Sequence, residues 1–254
     1  MVCQVASSAT SRRGGWYTIL MILFLLLFTE LFFLFFLSQW LTQSVFDLCI
    51  LLFRARAVGI TIITILNFPG TVIHELSHLF TAEVLGVHTG KLTLVPDSIQ
   101  EDEIKAGSVM IAASDPFRRY LIGLAPVITG LVAITAISYA LFQYVPYWGD
   151  WGIWGYWGGV YLLLAISNAM FSSAEDLKGF LPFIITLGIM AGAAYVAGFR
   201  VGITGLALSV ATRLLDALTK NLGGVLALNI VGIILTKLLI FLTEKLMRRK
   251  ILHR

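Results

Sequence analysis

The sequence predicts an all-α polytopic membrane protein of about six transmembrane helices, with a small cytoplasmic β-hairpin or sheet between the second and third. Three observations carry this. Of 254 residues, 58% are hydrophobic and 13% charged, and the mean hydropathy of +0.90 lies well above the range of soluble domains. Several apolar runs approach or exceed the roughly 20 residues needed to cross a hydrocarbon core of about 30 Å. The runs are continuous rather than alternating, which selects helices over a closed barrel as the way to satisfy backbone hydrogen bonds in lipid.

Taken in order, a polar start with Arg12 and Arg13 leads into WYTILMILFLLLFTELFFLFFL (16–37), the first span. Its apolar run exceeds the about 7–15 residues of a signal-peptide core, and no small-residue cleavage site follows. Glu30 inside it is expected to face neighbouring helices. Residues 41–56, with Arg54 and Arg56, read as too short and too charged to cross. Residues 57–86 form the second span, 117–142 the third, 154–175 the fourth, 181–199 the fifth and 222–246 the sixth; 200–220 reads as a loop or an interfacial helix. Between spans two and three, GKLTLVPDS and GSVMIAAS are β-prone runs separated by the acidic IQEDEIK, the pattern of a hairpin.

Six crossings place both termini on one side, and the basic ends assign that side to the cytoplasm. Under this topology the cytoplasmic segments hold 12 Lys or Arg and the external ones five, a bias in the expected direction. The external loop YVPYWGDWGIWGYW supplies an interfacial aromatic belt. The whole chain, 1–254, forms one integral membrane domain, multi-pass in a cell membrane. Compact size and the lack of an organelle-targeting segment favour the plasma membrane of a prokaryote. Cys3 and Cys49 make no disulfide framework. The basic tail EKLMRRKILHR fits an anionic lipid surface, and no aromatic-interleaved basic patch supports nucleic-acid binding.

The chemistry lies in FPGTVIHELSHLFTAEVLG (68–86). HELSH satisfies H-E-x-x-H, in which residues four apart share a helix face, so His74 and His78 can converge on one Zn²⁺ with Glu75 beside it. Glu75 can then take a proton from a water whose pKa zinc lowers to about 7 and return it to the departing amine. With 4 His in the chain, a random order would give the pattern about 0.002 times. Ionisable groups inside a span are also costly and retained for a purpose.

A catalytic zinc normally takes three protein ligands and a water. His88 falls beyond the helix and His253 in the tail, so the third ligand should be an acid. SNAMFSSAEDLKGF (167–180), at the end of span four, offers Asp176 and Glu175. Spans two and four run in the same direction, so either acid reaches the depth of His74 and His78.

These residues resemble the site-2 protease family of intramembrane zinc metalloproteases, in which an H-E-x-x-H helix is joined by an aspartate from a later span in a pattern like N-x-x-P-x-x-x-x-D-G. Asn168 and Asp176 stand eight apart, as that pattern requires. The resemblance implies Asp176 as the third zinc ligand and Asn168 as a substrate or oxyanion contact. Phe171 replaces the pattern's proline, and Leu177 and Lys178 delay its glycine to Gly179. LAPVITG is the nearest counterpart of the family's G-P-x-x-N element, with Ala125 for the glycine and Thr129 for the asparagine. The resemblance covers mainly 57–180, the metalloprotease core; 181–254 adds further spans and the tail. No stretch is long enough for an inserted PDZ domain.

The implied function is hydrolysis of a peptide bond in or near a transmembrane segment of a membrane-protein substrate. The free edge of the 91–113 hairpin would pair with the unwound substrate. Two other readings stand beside it: a catalytically inactive relative that binds membrane proteins around a structural metal, and a metal transporter or channel. The second would spread its ionisable groups along a pathway, whereas those here gather at one depth apart from Glu30.

Overall fold

The computed structural model describes residues 2–93, 108–111, 115–171, 189–190, 193, 196–197 and 205–247. The elements with described bounds are α1 (Val2–Phe53), α2 (Arg56–Val84), β1 (Thr89–Thr93), β2 (Ser108–Ile111), α3 (Pro116–Gln143), α4 (Gly152–Ala169) and α5 (Leu206–Met247), and residues 189–190, 193 and 196 are helical as well. Two single 3-10 turns, Val145–Tyr147 and Gly149–Trp151, join α3 to α4. Four helical stretches are long and apolar enough to cross a membrane: Ile19–Phe53, Arg56–Val84, Pro116–Tyr147 and Leu206–Leu246. The chain is therefore an all-α, membrane-associated protein with a small strand pair, and four of the predicted spans stand among the described residues as helices of this length and hydropathy. α4 is shorter, at 18 residues, and carries Gly and Trp where the others carry Leu and Ile. The predicted fifth span, 181–199, falls mostly outside the described residues.

The second and third predicted spans match α2 and α3 within a residue or two. Two other boundaries are corrected. Residues 41–53 continue α1, because LTQSVFDLCILLF contains no Gly or Pro to stop a helix and turns Leu41, Ser44, Cys49 and Leu51 inward. The chain reverses at Arg54, whose φ of 55° is the left-handed geometry that ends a helix. Its amide still donates to Ile50 O at 2.9 Å. Residues 206–220 are likewise helical and continuous with the last span. In that stretch Leu208, Thr212, Leu215, Thr219 and Leu222 are buried, spaced four and three apart as in a packed helical seam. Arg213 and Lys220 stay exposed, and Lys220 pairs with Asp216 at 2.6 Å.

That seam packs against α1, and the direction of the pair is set by two contacts. A Cβ on Gly223 would lie 3.5 Å from Glu30 Oε1, and one on Gly232 would lie 3.2 Å from Leu41 Cδ1. Positions rise together on both helices, so α1 and α5 run parallel. Six alternating crossings would have made them antiparallel, with both termini on one face; here the start of α1 and the end of α5 lie at opposite ends of the pair. The predicted 12-to-five division of Lys and Arg changes accordingly, since Lys245 falls at the same end as Arg54 and Arg56.

α2 folds back along α1, with Gly59 against Phe46 and Cys49. α3 and α4 are antiparallel, with Gly159 against Leu141 and Gly130 against Met170. The principal core lies where α1, α3, α4 and α5 meet, around Leu34, Ile134, Ile166, Leu222 and Val225. β1 and β2 pair antiparallel, with Leu92 opposite Val109 and Thr93 opposite Ser108, as the β-prone runs predict. The exposed Tyr147, Trp148, Trp151, Trp154 and Trp157 cluster at the α3–α4 connection, at the other end of the bundle from the strands.

Candidate metal centre

α2 is inside out. Ile65, Phe80 and Val84 face outward, while Thr71, His74, Glu75, Ser77 and His78 are all at least nine-tenths buried. Polar groups inward and apolar groups outward is the distribution expected of a helix between lipid and a polar bundle interior. Such a face survives only where its groups are hydrogen-bonded. Ser77 Oγ donates to His74 O at 2.6 Å, and His78 Nδ1 lies 2.9 Å from Ile122 O on α3.

The two imidazoles converge. His74 Nε2 and His78 Nε2 are 3.2 Å apart, with the rings nearly perpendicular at 83°. Two zinc–nitrogen bonds of about 2.0–2.1 Å meeting near the tetrahedral angle would set their nitrogens about 3.3 Å apart. The spacing therefore fits a shared metal ion. A carbonyl accepts only, so the contact with Ile122 O fixes the proton of His78 on Nδ1 and leaves the Nε2 lone pair facing His74. An outer hydrogen bond of this kind orients metal-binding histidines.

The position of α4 is decided at Gly70, one turn before His74. A Cβ there would lie 2.1 Å from Ala165 O and 2.7 Å from Ala169 Cβ, so nothing larger than hydrogen allows the approach. Small-residue contacts of this kind let transmembrane helices pack at backbone distance. This brings the carboxyl end of α4, with Asn168, alongside the motif-bearing turn of α2. Asn168 Oδ1 is buried and, among the described residues, has no hydrogen-bond partner. Behind it, Asn229 of α5 donates to Ser167 Oγ at 3.4 Å and to Val225 O at 3.0 Å.

Of the residues predicted from sequence, the structure brings His74, Glu75 and His78 onto one buried face and sets Asn168 at the neighbouring helix end. Asp176 and its competitor Glu175 lie outside the described residues. Among the described residues no three His, Cys, Asp or Glu side chains gather as a metal-ligand set. Sequence reasoning missed Gly70, although a Pro-Gly pair inside an apolar helix is a signal of close helix approach, and it missed the Ile122 carbonyl as a partner for His78. No family model, no curated protein and no solved structure matches the chain.

Proposed function

We propose that the chain is an intramembrane zinc endopeptidase of the site-2 protease type, cutting a peptide bond in or near a transmembrane segment of a membrane-protein substrate in a cell membrane. The observation that carries the reading is the 3.2 Å convergence of His74 and His78 Nε2 on a helix face that also buries Glu75. In this reading His74, His78 and Asp176 hold the metal. When bound, zinc supplies a Lewis acid for the scissile carbonyl and lowers the pKa of its water to about 7.

The rest is done by the chain. His78 keeps its proton on Nδ1 toward Ile122 O, so its other nitrogen stays a donor of electrons. Glu75 accepts a proton from the attacking water and delivers it to the departing amine nitrogen. The Asn168 Nδ2 donates to the substrate carbonyl, and its buried Oδ1, without a partner among the described residues, accepts from a substrate backbone N–H. The surrounding bundle excludes bulk water, which strengthens each of these polar contacts. A substrate helix hides its carbonyls in i to i+4 hydrogen bonds, so part of it must unwind; the β1–β2 pair next to the carboxyl end of α2 offers an edge for the extended segment. Proline substitutions along both strands that left cleavage unchanged would remove the strands from this account.

The deciding experiment is elemental analysis of the detergent-purified chain, wild type against His74→Ala and Asp176→Ala. About one zinc per chain, lost in both variants, is the expected result. No zinc in carefully prepared wild type would end the reading.

A further inference from the structure

We propose that Pro126 is a positioning residue for the metal centre: by removing a helix donor from Ile122, it aims the Ile122 carbonyl out of α3 to hold His78 in the tautomer that presents Nε2 to the metal. The proposal rests on the zinc reading for its purpose but on α3 for its geometry.

In an α-helix the carbonyl of residue i−4 accepts from the amide of residue i. Residue 126 of α3 is a proline, which has no N–H, and its ring crowds the carbonyl four residues earlier. That carbonyl belongs to Ile122, which is 2% exposed. Water is therefore no substitute, and a buried carbonyl needs a donor. The donor comes from another helix: His78 Nδ1 lies 2.9 Å from Ile122 O, and His78 is itself 6% exposed. The arrangement is reciprocal, because the histidine needs an acceptor for the proton its metal-side nitrogen must not carry.

An alanine at 126 would restore the amide. The Ile122 carbonyl would then point along the α3 axis, as in any regular turn, rather than out toward α2. His78 would keep its place on the helix but lose the contact that selects its tautomer. The substitution also relieves a helix of its proline, so α3 should form at least as well. A purely structural role predicts a change in helix geometry or stability and nothing at the imidazole.

The test uses the full chain in detergent, labelled with ¹⁵N-histidine and stripped of metal. Nitrogen chemical shifts of His78 should show one Nδ1-protonated tautomer in wild type and a mixture in Pro126→Ala. Zinc affinity, by competition with a chromophoric chelator, should fall about 10–100-fold in the variant, the usual cost of losing an outer hydrogen bond. An Nε2-protonated His78 in the wild type would overturn the proposal without reference to the variant. Unchanged tautomer and affinity in a folded Pro126→Ala would also overturn it. A wild type that takes no zinc yet shows the tautomer shift in the variant would support the Pro126 role while sinking the zinc reading.

Discussion

Gly70 on α2 sits so close to Ala165 on α4 that a β-carbon on the glycine would fall 2.1 Å from the Ala165 carbonyl oxygen. The contact lies one helical turn before His74, so it fixes the distance between the motif and the end of α4. Gly70→Val should force the helices apart, costing roughly 1–3 kcal/mol as overpacking does, and should weaken zinc binding because the α4 end moves away. Unfolding in mixed micelles and zinc titration on the same preparation read both effects. Wild-type affinity in a clearly destabilised Gly70→Val would show that α4 does not complete the site.

The motif residues should separate by function. His74→Ala and His78→Ala are expected to lose metal, whereas Glu75→Gln should keep it and lose cleavage of a transmembrane substrate by a factor of about 100 or more. Metal content and proteolysis measured side by side give the answer. A Glu75→Gln variant that cuts normally would remove Glu75 from the chemistry.

The parallel α1–α5 pair can be trapped. With Cys3 and Cys49 replaced by serine, a Leu41→Cys, Gly232→Cys double variant should crosslink on oxidation, since a Cβ at 232 would lie 3.9 Å from Leu41 Cγ, the place a cysteine sulfur at 41 would take. Mobility on non-reducing gels reports it. Absence of the link, together with a link from Leu41→Cys to a cysteine near position 214, would restore the antiparallel order.

Arg54 holds a left-handed backbone, φ 55°, that costs a side-chain-bearing residue roughly 1–2 kcal/mol. Arg54→Gly should therefore stabilise the fold by up to about 1 kcal/mol after the glycine's own entropy is counted. Reversible unfolding measures it. A loss of stability would mean that the guanidinium contributes more than the strain removes.

Asn229 is fully buried and donates across the α4–α5 contact to Ser167. Asn229→Ala is expected to cost about 0.6–1.7 kcal/mol, the range for hydrogen bonds between membrane helices, with zinc binding retained because the residue acts on packing. Loss of metal in this variant would instead place Asn229 in the site.

Much of this was legible in the chain. Apolar run length and continuity dictate helices in lipid, whatever their neighbours, and the boundaries of α2 and α3 follow from those runs. The i to i+4 spacing places His74 and His78 on one face of any helix that contains them, and β-prone composition marks the strands before α3. Arg54 and Arg56 misled the reading of 41–56, because charge at the end of a helix looks the same in sequence as charge that excludes one. The four-three spacing of Leu208, Thr212, Leu215, Thr219 and Leu222 is equally readable as a packed seam, but read without its partner helix the segment 200–220 is open to a loop or an interfacial helix.

What the sequence by itself determined is local: which segments become helix, and which side chains share a face. Tertiary structure alone decided which way α5 runs beside α1, how near Gly70 brings α4, and which carbonyl His78 finds. Those are relations between segments distant in the chain, fixed by contacts such as Gly232 on Leu41 and by an acceptor that Pro126 releases on a different helix. Short-range periodicity carries no information about either.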